Sequence, residues 1–102
     1  MRKAEIYQRG EISGILEELE NGRWRFTYSA GYSGLPVSLT MPVSQTVYEF
    51  DGFLPVFEGL LPEGGQLEAM LRRYKLDRQD MFAQLMLAGE DLVGSLTMKE
   101  AG

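Results

Sequence analysis

Asn21-Gly22-Arg23-Trp24-Arg25-Phe26-Thr27-Tyr28 alternates large apolar with polar side chains immediately after a turn dipeptide. Successive side chains of an extended chain point to opposite faces, so Trp24, Phe26 and Tyr28 share one side of a strand and Arg23, Arg25 and Thr27 the other. The aromatic side is expected to be core, because a large apolar side chain gains about 1.5–3 kcal/mol by leaving water. If one of the three is instead an exposed platform for a partner, Trp24 is the candidate. Asn21-Gly22 is the dipeptide preferred in two-residue type I′ hairpins, and Arg9-Gly10 gives a second turn signal. Residues Ala4 to Tyr28 therefore predict a three-stranded meander.

Beyond Tyr28, Ser29 to Ser33 reads as irregular. Val37-Ser38-Leu39-Thr40-Met41, bounded by Pro36 and Pro42, alternates apolar and hydroxyl residues and predicts a short, half-buried edge strand. Val43 to Asp51 has no clear period and reads as an ordered connection whose Val47, Tyr48 and Phe50 touch the core. The apolar spacing then changes from two to three and four. Phe53, Leu54, Phe57, Leu60 and Leu61 trace one face of a short helix that starts near Pro55, a tolerated first-turn position, and stops before Pro62. After a reversal at Pro62-Glu63-Gly64-Gly65, a second helix carries Leu67, Met70, Leu71 and Tyr74 on one stripe, with Glu68, Arg72, Arg73 and Lys75 facing solvent. Asp77 followed by Asp80 resembles a capping box and opens a third helix, with Met81, Phe82, Leu85 and Met86 inward and Gly89 as its stop. The methionines read as core filler. Ser95 to Met98 predicts a closing strand that rejoins the sheet. The expected fold class is α+β: one domain over residues 1–102, with a small antiparallel or mixed sheet (meander, edge strand and closing strand) packed with about three short helices.

Composition narrows the function. A chain of 102 residues, 44% hydrophobic and 25% charged, is sized for one globular domain. Ten Lys and Arg against 15 Asp and Glu leave a net charge of −5, which opposes direct binding to nucleic acid phosphates. There is no His and no Cys, so the usual neutral-pH base, the thiolate nucleophile and the common zinc ligands are lacking. No cofactor and no metal is expected, and the chain is expected not to be an enzyme. The acidic clusters Glu17-Glu18-Glu20 and Glu90-Asp91 read as solvated surface charge. Gly89 and Gly94 stand at phosphate-loop distance, but Ser95 and Leu96 follow where Lys and Ser/Thr are required. Gly31, Gly34 and the Gly64-Gly65 pair read as turn residues that need positive φ. No stretch approaches the roughly 20 apolar residues of a membrane span, and the lack of Cys fits a cytoplasmic protein.

Three ordered segments resemble the N-terminal domain of HipA-type kinases: Pro36-Val37-Ser38-Leu39-Thr40-Met41-Pro42; Phe53 with Phe57-Glu58-Gly59-Leu60-Leu61-Pro62-Glu63-Gly64; and Gly89, Asp91, Val93 and Gly94. The resemblance covers nearly the whole chain, which stops where the phosphoryl-transfer core of such kinases would begin. The kinase Asp/Asn catalytic pattern and metal-binding Asp motif are not in the sequence. A free-standing copy of this domain is similar to the HipS-like proteins of three-component HipBST toxin–antitoxin systems. That resemblance implies an antitoxin that binds and neutralises a separately encoded HipA-like kinase (HipT), within a complex that can include the DNA-binding HipB-like protein. An opposite sign, an activating or substrate-orienting subunit of a split kinase, is equally compatible with docking. The candidate contact is Glu58, Gly59, Pro62, Glu63, Gly64 and Gly65, with Glu90, Asp91 and Trp24 as further candidates. The same segment also reads as core leucines followed by a simple glycine turn, and the sequence leaves both readings open. Two departures from the family stand out. Glu90 replaces an Arg common in fused kinases, and Gly65 leaves the loop without a bulky side chain that could plug an active site.

Overall fold

Arg9 and Gly10 both take positive φ, 52° and 83°, as a two-residue type I′ turn demands. They join β1 (Lys3–Gln8) to β2 (Glu11–Glu18), with Gln8 directly opposite Glu11. Asn21 and Gly22 also stand at positive φ, 61° and 76°, and the Arg23 N–H donates to the Glu20 carbonyl at 3.2 Å. Here the turn is a short 3-10 segment over Glu20–Gly22, one residue longer than the two-residue loop expected, and it leads into β3 (Trp24–Tyr28). The computed structural model describes residues 1–89 and 96–101.

The meander contains a bulge. Ile6 faces Gly14 but Tyr7 faces Ile12, so Ser13 is the extra residue. Its buried hydroxyl donates to the Ile6 carbonyl at 3.0 Å, and its carbonyl accepts from the Ser29 N–H at 2.8 Å, which satisfies the groups the bulge frees. At Gly14 a Cβ would lie 2.4 Å from the Thr27 carbonyl oxygen and 2.6 Å from the Phe26 ring, so only glycine lets that ring cross the backbone.

Two more strands complete an antiparallel sheet in the order β4-β3-β2-β1-β5, with β4 at Val47–Phe50 and β5 at Leu96–Ala101. The closing strand thus rejoins the sheet, as expected, and does so by pairing with β1; it runs three residues past Met98, and Ser95 lies outside the described residues. The edge strand expected at Val37–Met41 is absent; that stretch is a run of bends and turns, and the edge is Val47–Phe50. The cause is one buried hydroxyl. Tyr28 Oη accepts the Val37 N–H at 3.0 Å and donates to the Met41 carbonyl, so the segment wraps around a side chain instead of a neighbouring strand. Val37 and Met41 are buried while Leu39, at the apex, is 95% exposed.

The helices cover the face that carries Ala4, Ile6, Leu16, Trp24, Phe26 and Tyr28. α1 (Pro55–Glu58) is a single turn with Pro55 in its first positions and Phe57 fully buried. It does not reach Pro62. Leu60 and Leu61 continue in tighter turns, their N–H groups donating to Phe57 and Glu58 carbonyls at 3.1 and 3.2 Å, and both pack against the core. α2 (Gly64–Tyr74) buries only Leu71; Tyr74, expected on the inward stripe, is 49% exposed. Its end is set by Lys75 at φ 55°, whose N–H returns to the Leu71 carbonyl. α3 (Met81–Ala88) is capped by Asp80, which accepts the Ala83 N–H at 3.2 Å. Asp77, expected to open this helix, caps the preceding turn instead by accepting the Gln79 N–H at 2.7 Å. Phe82 and Leu85 are buried, and Gly89 ends the helix where a Cβ would lie 2.8 Å from the Met98 carbonyl oxygen.

Candidate functional site

Glu58, Gly59, Glu63, Gly64 and Gly65 are exposed, and Pro62, Leu60 and Leu61 are half-buried. The leucines therefore belong to the core, as one of the two readings has it, and the residues around them form an exposed surface. Gly64 has φ 57° where the chain reverses, but it and Gly65 already form the first turn of α2. The segment is thus shorter as a loop than expected and is anchored at both ends by helix. A shallow depression of about 470 Å³ lies between Gly59, Pro62, Glu63 and Gln66. A smaller one of about 190 Å³ on its other flank is bordered by Glu58, Leu67, Arg78 and Met81. Its floor is held by Gln84, 2% exposed, whose amide donates to the Asp77 and Arg78 carbonyls at 3.0 Å each.

Trp24, the candidate for an exposed platform, is core like Phe26 and Tyr28. It is 7% exposed, packed edge-on against Phe53 at 5.0 Å and stacked on Phe82 at 5.6 Å. α3 supplies the cover, through a residue far along the chain. Only the margin of Trp24 borders a depression of about 400 Å³, together with Arg2, Phe53, Asp77 and Asp80. Met81 borders both this depression and the one beside Glu58, so the two surfaces adjoin. Glu90 and Asp91 lie outside the described residues.

Arg2 is the side chain that sequence reasoning missed. Its Nη1 donates to both Asp80 carboxylate oxygens at 2.9 and 3.0 Å, while Nε and Nη2 donate to Glu18 at 3.0 and 2.9 Å. The guanidinium also stands 4.8 Å from the centre of the Phe82 ring. One cation thus ties the first strand to β2 and to the cap of α3. Those hydrogen bonds hold the Glu18 carboxyl below the usual carboxylate range and raise Arg2 further above its own. A depressed carboxylate is the reverse of what a proton-donating acid needs. Burial pushes the Tyr28 phenol up, so it stays a neutral hydrogen-bonding group. Among the described residues no cluster of three or more acidic, His or Cys side chains is arranged to hold a metal ion. What this geometry presents is exposed backbone and carboxylates beside shallow, partly apolar depressions.

The chain matches the family model described as HipA N-terminal domain over residues 4–99. It is 32% identical over 100 residues to an uncharacterized protein of Haemophilus influenzae, covering 98% of this chain and 93% of that one. Among solved structures, an N-terminal domain of HipA toxin has a TM-score of 0.80 at 32% identity, covering 100% of this chain and 94% of the other. No helix among the described residues is long and apolar enough to cross a membrane.

Proposed function

We propose a function from one premise: this chain belongs to the HipA N-terminal domain family, and so to a HipA-related toxin–antitoxin context. In this proposal it is a HipS-like antitoxin that binds a separately encoded HipA-like (HipT) serine/threonine kinase in the cytoplasm and neutralises it. The observation that carries the reading is one of length: the match spans 93% of the Haemophilus influenzae relative, so the domain also occurs as essentially an entire protein there. In this reading the domain acts on the kinase by docking. An interface of standard size, about 1,600 Å² in total, is sufficient for stable association.

Docking inhibits if the bound state disfavours the kinase's competent arrangement, and no catalytic residue is needed on the inhibitor. The contact proposed is Glu58 through Gly65, where Gly59, Gly64 and Gly65 lose no side-chain entropy on binding. Gly65 offers no side chain to fill an active site, which favours neutralisation through the position of the docked domain over a plug at that residue. A HipB-like DNA-binding protein joins the complex through the kinase, in keeping with the −5 charge of this chain.

The test mixes the chain with the HipA-like kinase encoded beside it. Co-elution on size exclusion at micromolar concentrations, with loss of kinase autophosphorylation, is the expected result. Absence of a complex refutes the binding reading, and increased phosphorylation replaces neutralisation by activation.

A further inference from the structure

Five of the ten cationic side chains, Arg2, Lys3, Arg23, Arg25 and Arg78, are held in ion pairs. Of the remaining five, Arg9 and Lys99 stand apart on the sheet, while Arg72, Arg73 and Lys75 crowd the C-terminal end of α2. All three are exposed and none has an ionic partner among the described residues. Residues 72–78 carry a net charge of +3 in a chain of −5. Within this cluster Tyr74 is 49% exposed, with the Arg73 guanidinium 5.4 Å from the centre of its ring. Leu76, the next residue on, borders a shallow depression of about 350 Å³ that it shares with Met86, Leu87, Arg2 and Glu100, and Leu87 is itself 40% exposed.

A helix dipole favours cations in the last turn. It does not call for an exposed tyrosine beside them, nor for a helix that buries one residue in eleven. Exposed aromatic and Arg side chains standing together are the composition of a protein-binding patch. We infer that the C-terminal end of α2, through Arg72, Arg73, Tyr74 and Lys75, docks an acidic face of a protein partner. This rests on the kinase-binding function proposed above and identifies the charge of the kinase surface involved. Nucleic acid is the weaker match, because three free cations sit in the field of a net negative molecule. An eleven-residue helix spans about 16 Å, so the cluster stands about that far along α2 from Gly64, where the Glu58–Gly65 segment enters the helix.

The experiment titrates the kinase with wild-type chain, with the triple variant Arg72→Gln/Arg73→Gln/Lys75→Gln, and with a control, Arg9→Gln/Lys99→Gln, by calorimetry at about 50 and about 300 mM salt. Circular dichroism establishes that each variant is folded, and Tyr74→Ser provides a second, uncharged probe of the same patch. The expected result is affinity at least about tenfold weaker for the triple variant at low salt, a flatter salt dependence, weaker binding by Tyr74→Ser, and no change for the control. Wild-type affinity in the triple variant overturns the α2 docking face and leaves the proposed function standing. Equal weakening by the control overturns it too, by assigning the effect to net charge. If the wild-type chain does not bind the kinase, the proposed function falls and this inference falls with it. A labelled DNA duplex bound by wild type and lost in the triple variant assigns the patch to nucleic acid instead.

Discussion

The β1–β3 meander and α2 are built to opposite rules. In the meander Ala4, Ile6, Leu16 and Phe26 are fully buried, and a bulge, two left-handed turns and Gly14 all serve a single strand register. α2 has eleven residues, fully buries Leu71 alone, half-buries Leu67 and Met70, and exposes the other eight. Stability should therefore be concentrated in the sheet and its covering aromatics, while α2 is attached lightly. Truncating one buried residue in each region tests this. Phe26→Ala is expected to lower unfolding free energy by about 3–5 kcal/mol and Leu71→Ala by about 2 kcal/mol, the lower end for such a change, both measured by urea denaturation. Equal losses would show that α2 is as integral as the meander.

The same contrast explains what could be read from sequence. The meander is legible because its signals are local: Asn21-Gly22 and Arg9-Gly10 for turns, and period two across Trp24 to Tyr28. Val37–Met41 misled for the complementary reason. Its alternation is genuine, but the partner of its backbone is a tyrosine hydroxyl at position 28, and no pattern within the segment announces that. The burial of Trp24 depends on Phe82 of α3, and the role of Arg2 on Glu18 and Asp80, 16 and 78 residues away. Of the candidate surface, the Phe57–Gly64 segment was visible through family resemblance. The cations of α2 read from sequence as a solvent-facing side, and only the structure shows that Arg72, Arg73 and Lys75 have no ionic partner among the described residues while Tyr74 stands exposed among them.

The Arg2 clasp joins the meander to the helical half and makes a smaller, pH-dependent prediction. Glu18 is depressed in the folded protein by its hydrogen bonds from Arg2, whereas in the unfolded chain it titrates at its ordinary value, about 4.3. The folded state then binds fewer protons, so the stabilisation is complete above that ordinary value and is lost as pH falls through the lower folded one. Glu18→Gln should cost about 1 kcal/mol near neutral pH, a modest figure because both side chains are partly in water. It should also flatten the decline in stability below about pH 4.3, followed by denaturant melts at a series of pH values. An unchanged acid limb would mean that the clasp is not what couples the two halves on acidification.

The weakest link is on α2 itself. Glu68 pairs with Arg78, in the turn that leads to α3, and the two side chains are 49% and 56% exposed. A pair so open to water gains little Coulomb energy and must immobilise two long side chains, so it contributes next to nothing. Arg78→Ala is accordingly expected to change the unfolding free energy by less than about 0.5 kcal/mol, and the change should shrink further in high salt. A loss above about 1 kcal/mol would exceed what exposed pairs supply and would mean that charge, not Leu71, seats the helix. In that case the free cations of Arg72, Arg73 and Lys75 would have to be weighed as part of the same attachment, and α2 would lose its standing as a surface kept available for a partner.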